Sequence, residues 1–115
     1  MSKEVNFGQS LTAFLDVVNA QLEDRYSRYN NLGTPTLEVR AGKKYVKIIR
    51  WDAEGASGSI LGFVSAVDNP KKGEKVGDIL KAASWNASAR HSRGNIFNED
   101  NGAGALTGDG FVRYL

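Results

Sequence analysis

The side chains best suited to chemistry lie together between Gly77 and Phe97, in the segment GDILKAASWNASARHSRGNIF. After Asp78 this segment contains no acidic residue. Its basic and aromatic residues are Lys81, Trp85, Arg90, His91 and Arg93. The positions between them are mostly small, so a ligand can approach the backbone amides closely. The segment therefore predicts a site for an anionic group.

Each residue type in this segment suits a different contact. Arginine offers a planar, permanently charged fork that fits phosphate or carboxylate, whereas lysine offers a compact point charge. The predicted phosphate-binding residues are Lys81, Arg90 and Arg93. Trp85 offers a flat ring on which a nucleic-acid base can stack. His91 and Asn95 are predicted to donate or accept hydrogen bonds.

The same residues also have structural interpretations. A tryptophan that caps a small core gives the same sequence pattern as a stacking Trp85. The two arginines have nearby carboxylates with which they could pair and order the loop, namely Asp78, Glu99 and Asp100. A single histidine is more often an ordinary polar residue than a ligand, and Asn95 could cap a turn. Both interpretations stay open at the level of sequence.

Enzymatic function is not expected. The chain has no GxSxG, P-loop or HExxH motif. One histidine, no cysteine and scattered acids do not form a metal-ligand set, and no nucleophile accompanies His91. The glycines at 102, 104 and 108 lack the flanking strand and helix of a nucleotide loop. We therefore predict a binding protein without metal or cofactor.

A helix over residues 9–29 is the first predicted element. Its apolar residues recur at steps of three and four, and they are Leu11, Phe14, Leu15, Val18, Leu22 and Tyr26. Asn30, Asn31 and Gly33 favour its end, and Pro35 prevents its continuation. We interpret the apolar stripe as the face that packs on a sheet.

Four strands are predicted next, with bounds Thr36–Ala41, Lys44–Asp52, Ser59–Asp68 and Val76–Ala83. Short turns between sequential strands favour an antiparallel meander over residues 36–83. Gly62 within the third strand indicates a bulge or a close backbone approach. The fourth strand is expected to pair back on the third.

The remaining chain is divided into a basic motif loop (84–97), a glycine-rich loop at the surface (98–110) and a C-terminal edge strand (111–115). With 115 residues the chain is one domain. The predicted fold class is α+β: one long N-terminal helix packed on an antiparallel meander sheet of four to five strands.

Charge is distributed unevenly, although the net charge is only +2. Between residues 36 and 51 Glu38 is accompanied by five basic residues, namely Arg40, Lys43, Lys44, Lys47 and Arg50. Such a side attracts anions, and the alternative is that the lysines keep the strands soluble. There is no secretion signal, membrane-length apolar run or cysteine, so a soluble intracellular protein is expected.

The 77–97 segment resembles one found in small uncharacterised proteins of tailed bacteriophages. The matching residues are Phe63, Val64, Gly77, Asp78, Lys81 to Trp85, Arg90, His91 and Arg93 to Phe97. The chain departs from that pattern in a longer turn at 68–76 and in Asn86, Ala87 and Ser88, where lysine and proline are expected. The resemblance implies phage origin and a setting in the host cytoplasm or virion. It implies no activity.

The sequence thus favours a small phage accessory protein that binds an anionic partner, either nucleic acid or a nucleotide-like ligand, through the basic and aromatic loop. The alternative is a virion structural component or an inhibitor that docks on a host protein. No membrane contact is expected, and a homo-oligomer remains open.

Overall fold

The computed structural model describes residues 3–26, 33–55, 57–71, 73–85, 87–89, 91–107 and 112–113. One long helix, α1 (Lys3–Tyr26), precedes a five-stranded antiparallel sheet in the order β1-β2-β3-β4-β7. Its strands are β1 (Thr36–Ala41), β2 (Tyr45–Trp51), β3 (Gly58–Ser65), β4 (Asp78–Leu80) and β7 (Gly94–Asn95). A second sheet contains only β5 (Ala82–Ser84) and β6 (Ala87–Ser88). The structure confirms the predicted α+β class.

Helix α1 packs on one face of the sheet through the predicted stripe. Phe14, Val18 and Leu22 are completely buried, and they join Val46 and Ile48 of β2 in the core. The helix begins at Lys3 rather than at residue 9, while residues 27–29 of the prediction lie outside the described residues. Six residues at its start precede Leu11, so the apolar pattern could not reveal them.

Strand β1 has the bounds that the sequence predicts, and it pairs with β2 in antiparallel register from Thr36↔Trp51 to Ala41↔Val46. Side chains alternate between the two faces of a strand. Because Val46 and Ile48 face the helix, Tyr45, Lys47 and Trp51 project from the opposite side of the sheet. We call this side the outer face.

Gly62 of β3 is required by a close backbone approach, as predicted. The β2–β3 register shifts next to its partner, between Ile48 and Ile49. A Cβ atom at Gly62 would lie 2.6 Å from the carbonyl oxygen of Leu80 and 3.2 Å from Val112 Cγ2. Glycine therefore allows β4 and the C-terminal segment to pack closely against β3.

The fourth strand pairs antiparallel with β3 as predicted, through Phe63↔Leu80 and Val64↔Ile79. It is much shorter than the predicted 76–83, because the chain leaves the main sheet after Leu80 to form the β5–β6 hairpin. The chain then returns, and Asp78↔Asn95 and Ile79↔Gly94 pair β4 with β7. The predicted loop 84–97 thus contains strands, and β7 is the fifth strand of the sheet.

The glycine-rich segment is not a surface loop where it is described. Residues 103–105 form a 3₁₀ turn, and Gly102, Ala105 and Leu106 are buried. The Asp100 carboxylate accepts hydrogen bonds from the backbone N–H groups of Gly102 and Gly104, at 2.9 and 2.8 Å, which orders the turn. Residues 108–110 lie outside the described residues.

Val112 and Arg113 are the described part of the predicted C-terminal strand. Val112 is buried and forms an isolated antiparallel bridge with Leu106, and the Arg113 N–H donates to the carbonyl of Ala105 at 2.8 Å. This segment therefore pairs with the glycine-rich region and not with an edge of the main sheet, which corrects the prediction for these two residues. Residues 111, 114 and 115 lie outside the described residues.

Candidate functional site

The site is built around the β5–β6 hairpin, whose turn presents Trp85. The strands pair through Ala82↔Ser88 and Ser84↔Ala87, and the Ala89 N–H donates to the Lys81 carbonyl at 2.6 Å and closes the base. Strand β5 also packs against β3. Small side chains allow this close packing. Trp85 is 44% exposed, so the interpretation of Trp85 as a core residue is wrong.

Lys47 lies against the exposed ring. Its ammonium nitrogen is 5.2 Å from the centroid of the Trp85 ring, which is cation–π geometry. Lys47 projects from the outer face of β2, so this contact places the hairpin turn over that face. A contact of this kind at an exposed position contributes about 0.5–1 kcal/mol and restrains the orientation of the indole.

Other polar and aromatic groups surround this contact on the outer face. Glu38 accepts hydrogen bonds from Trp51 Nε1 at 2.9 Å and from Arg40 Nε at 2.7 Å. These two bonds, first that of Arg40 and then that of Trp51, lower the pKa of Glu38 below its usual value. The Tyr45 hydroxyl donates to the Glu74 carboxylate at 2.6 Å. The outer face therefore carries ordered aromatic rings beside charged groups.

Lys81 and Arg93, two predicted phosphate ligands, are brought together. The Lys81 ammonium donates to the carbonyl of Val112 at 2.7 Å, and Arg93 donates to the carbonyls of His91 and Arg113, at 2.7 and 3.3 Å. Burial lowers the pKa of Lys81, and the neighbouring Arg93 guanidinium lowers this pKa further. Both cations thus hold the C-terminal segment in place and concentrate positive charge at the base of the hairpin.

Arg90 and His91 adjoin this pair in sequence. Arg90 lies outside the described residues, so its predicted role stays a prediction. His91 is exposed and has a backbone φ of 70°, an uncommon left-handed conformation for a residue other than glycine. That conformation turns its carbonyl oxygen toward Arg93 Nη1. The imidazole is accessible to a ligand, as the prediction for His91 requires.

Asn95 has a structural role. Its side-chain nitrogen donates to the Val76 carbonyl at 3.1 Å and to the Asp78 carboxylate at 3.0 Å, while its side-chain oxygen accepts from the Phe97 N–H at 2.8 Å. These bonds connect β7 to β4 and to the turn before it. The alternative that Asn95 orders a turn describes this geometry, and we do not carry its predicted ligand contact forward.

Two residues of this region were missed at the level of sequence. Lys47 had been counted only among the basic strand residues, although its alternation with Val46 and Ile48 already placed it on the outer face. Arg113 donates through Nη1 to the Gly104 carbonyl at 2.9 Å, and its own carbonyl accepts from Arg93. Its approach to Arg93 depends on contacts between distant parts of the chain, and no local pattern reveals it.

Two cavities border the turn at residues 69–74. One of about 850 Å³ is lined by Asp68, Pro70, Glu74, Val76, Asn95 and Phe97. The other, about 700 Å³, lies beside the returning strand of the hairpin and is lined by Lys71, Glu74, Ser88, Ala89, His91 and Ser92. The second cavity adjoins the exposed side of His91 and adds Lys71 to the cations around the hairpin.

Within the described ranges, no three histidine, cysteine or acidic side chains are grouped so that they could hold a metal ion. In the same part of the chain, no helix combines the length and apolar character needed to cross a bilayer.

Residues 3–114 match a protein family described as a Family of unknown function (DUF7717). The chain belongs to this family. No curated protein and no solved structure shows a significant match to the chain. The family assignment therefore brings no ligand, partner or reaction, and the argument for function depends on the geometry of the site.

Proposed function

We propose that this member of the family binds single-stranded nucleic acid, with Trp85 as the stacking platform and the surrounding cations as the phosphate-attracting field. The observation that carries the proposal is the exposed Trp85 ring under the Lys47 ammonium, at the turn of a hairpin that lies over the outer face. An exposed indole held in one orientation has little value for stability and considerable value for stacking.

The energetic argument begins with the ring. Stacking of a base on an aromatic side chain contributes about 1–3 kcal/mol, and every base can use it because every base has a π face. In a duplex the faces of the bases are already stacked on each other, so a single tryptophan on an open surface favours an unpaired strand.

Positive charge on both sides of the ring supplies the second part of the argument. Lys47 lies on the ring, and Lys81 and Arg93 lie at the base of the same hairpin. Four residues of extended chain separate Lys81 from Trp85, or about 13 Å at roughly 3.3 Å per residue. A nucleic-acid strand that stacks on Trp85 thus runs within a field of like sign on either side.

The setting of this activity is proposed from the sequence resemblance. We place the protein as a phage accessory protein in the host cytoplasm that acts without catalysis, because the site contains charge and a stacking surface and no nucleophile paired with a base. Binding without reaction is the chemistry that these residue types support.

The test is a titration with a fluorescent oligothymidylate of about 20 nucleotides at low salt, repeated with a duplex of equal length. We expect the single strand to bind more tightly than the duplex, and Trp85→Ala to raise the dissociation constant about 5–150-fold, which corresponds to about 1–3 kcal/mol. Trp85→Phe should retain most of the affinity, because a smaller aromatic ring still stacks.

Val67→Ala is the matched control, since Val67 is 43% exposed and lies in a turn outside the hairpin. It should leave the affinity unchanged. Trp51→Phe makes Trp85 the only indole, so that its fluorescence should be quenched by the oligonucleotide. Unaltered affinity in Trp85→Ala, or no binding of the wild-type protein at low salt, would refute the proposal.

A further inference from the structure

We propose that the exposed edge of β1 is a self-association surface, through which two copies of this chain pair antiparallel about Val39. The inference goes beyond nucleic-acid binding and does not depend on it. It follows from the two edges of the main sheet, from the residues of β1, and from the register that those residues select.

The two edges of the sheet differ. One edge is β7, which is two residues long and adjoins the 3₁₀ turn at 103–105. The other is β1, which has six residues and, in the described part of the chain, pairs on one side only, with β2. Natural sheets blunt their edges with short strands, lysine, proline or bulges. Strand β7 is blunted by its length, whereas TLEVRA in β1 has none of these features.

Backbone groups are available along β1. In an antiparallel ladder, alternate residues exchange hydrogen bonds with the neighbouring strand, and the residues between them direct N–H and C=O to the other side. Half of β1 therefore presents donors and acceptors at the edge. Val39 in the middle of the strand is 40% exposed, which makes it one of the few large apolar side chains on the described surface.

The sequence of β1 selects one register for pairing with itself. If Val39 lies opposite Val39 of a second copy, Glu38 lies opposite Arg40 and Arg40 opposite Glu38, since antiparallel positions sum to a constant. Directly opposite residues share a face, so both pairs are of unlike charge and stabilising. Within one chain Glu38 and Arg40 already project from the same face and are paired at 2.7 Å.

Pairing about Val39 is isologous and closes as a dimer around a two-fold axis perpendicular to the sheet. The axis keeps the outer faces of both copies on the same side of one continuous ten-stranded sheet. Six residues per copy bury less than the roughly 800 Å² per partner of a standard interface, so we expect a dissociation constant between about micromolar and millimolar.

Sedimentation velocity over a range of protein concentrations tests the proposal. The wild-type protein should shift from monomer to dimer, whereas Val39→Lys, which places two ammonium groups opposite each other, should remain monomeric. Val67→Lys is the matched control, because Val67 has nearly the same exposure and lies outside β1. It should dimerise like the wild type.

Charge variants test the register itself. Glu38→Arg and Arg40→Glu each place like charges opposite each other in a homodimer, and each should raise the dissociation constant about tenfold. Mixing the two variants creates unlike pairs only between chains, so the mixture should form heterodimers with affinity near that of the wild type. Both variants lose their internal ion pair whether or not they are mixed, so the internal pair cannot explain a restoration.

Circular dichroism establishes that each variant is folded. If a charge variant does not fold, hydrogen exchange of the wild-type protein replaces it: alternate β1 amides should gain protection as concentration rises. A wild-type protein that stays monomeric, a dimer insensitive to Val39→Lys, or charge variants that do not associate on mixing would each overturn the proposal. None of these results bears on oligonucleotide binding by the monomer.

Discussion

Trp85 is kept exposed by its neighbours on the chain. The strands on either side of its turn pair with each other, and the turn is too short to fold the indole into the core that Phe14 and Ile48 fill. Lys47 then provides a partner at the surface that needs no burial. The types of these residues could be interpreted from the sequence, but whether the indole was inside or outside depended on a hairpin that no periodic pattern marks.

Glu38 gives a prediction at the scale of one residue. Its pKa is lowered in the folded protein, so its ionised form is stabilised by folding. The stability contribution is present above the unfolded pKa, close to the model value of 4.5, and is lost as pH falls through the lower folded value. Thermal unfolding of the wild type and of Glu38→Gln should therefore differ at pH 7 and converge toward pH 3.

Glu54→Gln is a suitable control for this pH series, because Glu54 lies in the exposed turn after β2 and its pKa shows no resolved shift. Its melting temperature should follow that of the wild type throughout. The groups that face Glu38 are Arg40 and Trp51, neither of which titrates in this range, so convergence can be assigned to Glu38. A difference that stays constant down to pH 3 would contradict the assignment.

The elements that could be predicted from sequence are those with enough residues to show a period. Helix α1 and strands β1 to β3 have apolar patterns that repeat, and their existence and pairing follow. Strands β5, β6 and β7 have two or three residues each and consist largely of alanine, serine and glycine. They are strands because distant segments offer backbone partners, as Gly77 O does for the Ile96 N–H at 3.0 Å.

Gly102 gives a prediction at the scale of the element it precedes. Its φ is 87°, and a Cβ there would lie 2.4 Å from Ile79 Cδ1 and 3.0 Å from Phe14 Cδ1. Gly102→Ala therefore combines backbone strain of about 1–2 kcal/mol with overpacking of about 1–3 kcal/mol. The free energy of unfolding, measured with urea, should fall by about 2–5 kcal/mol.

Gly73→Ala separates the two contributions. Gly73 has a comparable φ of 69°, but no atom lies within 4 Å of the position that its Cβ would take. Its substitution should cost only the strain, about 1–2 kcal/mol. Equal losses for Gly73→Ala and Gly102→Ala would mean that residues 98–107 do not pack on the core in solution.

At the scale of the whole molecule, the uneven charge has a structural basis. The basic residues of β2 and of the hairpin meet because the turn at Trp85 lies over the outer face, so two sequence segments about 40 residues apart contribute to one field. The small net charge of +2 conceals this arrangement. A cleft or surface lined by one sign of charge attracts counter-ions from a distance, and the attraction weakens as salt screens it.

The salt dependence of binding tests that field as a whole. If Lys47, Lys81 and Arg93 each neutralise about one phosphate, the logarithm of the binding constant for oligothymidylate should fall with the logarithm of salt concentration with a slope of about −2, at roughly −0.7 per phosphate on single strands. Lys47→Ala should make the slope less steep by about 0.7. Lys43→Ala removes an equal charge from the exposed β1–β2 turn, away from the ring, and should leave the slope unchanged. Equal changes for the two variants would show that binding depends on overall charge, and that the surface around Trp85 has no particular part in it.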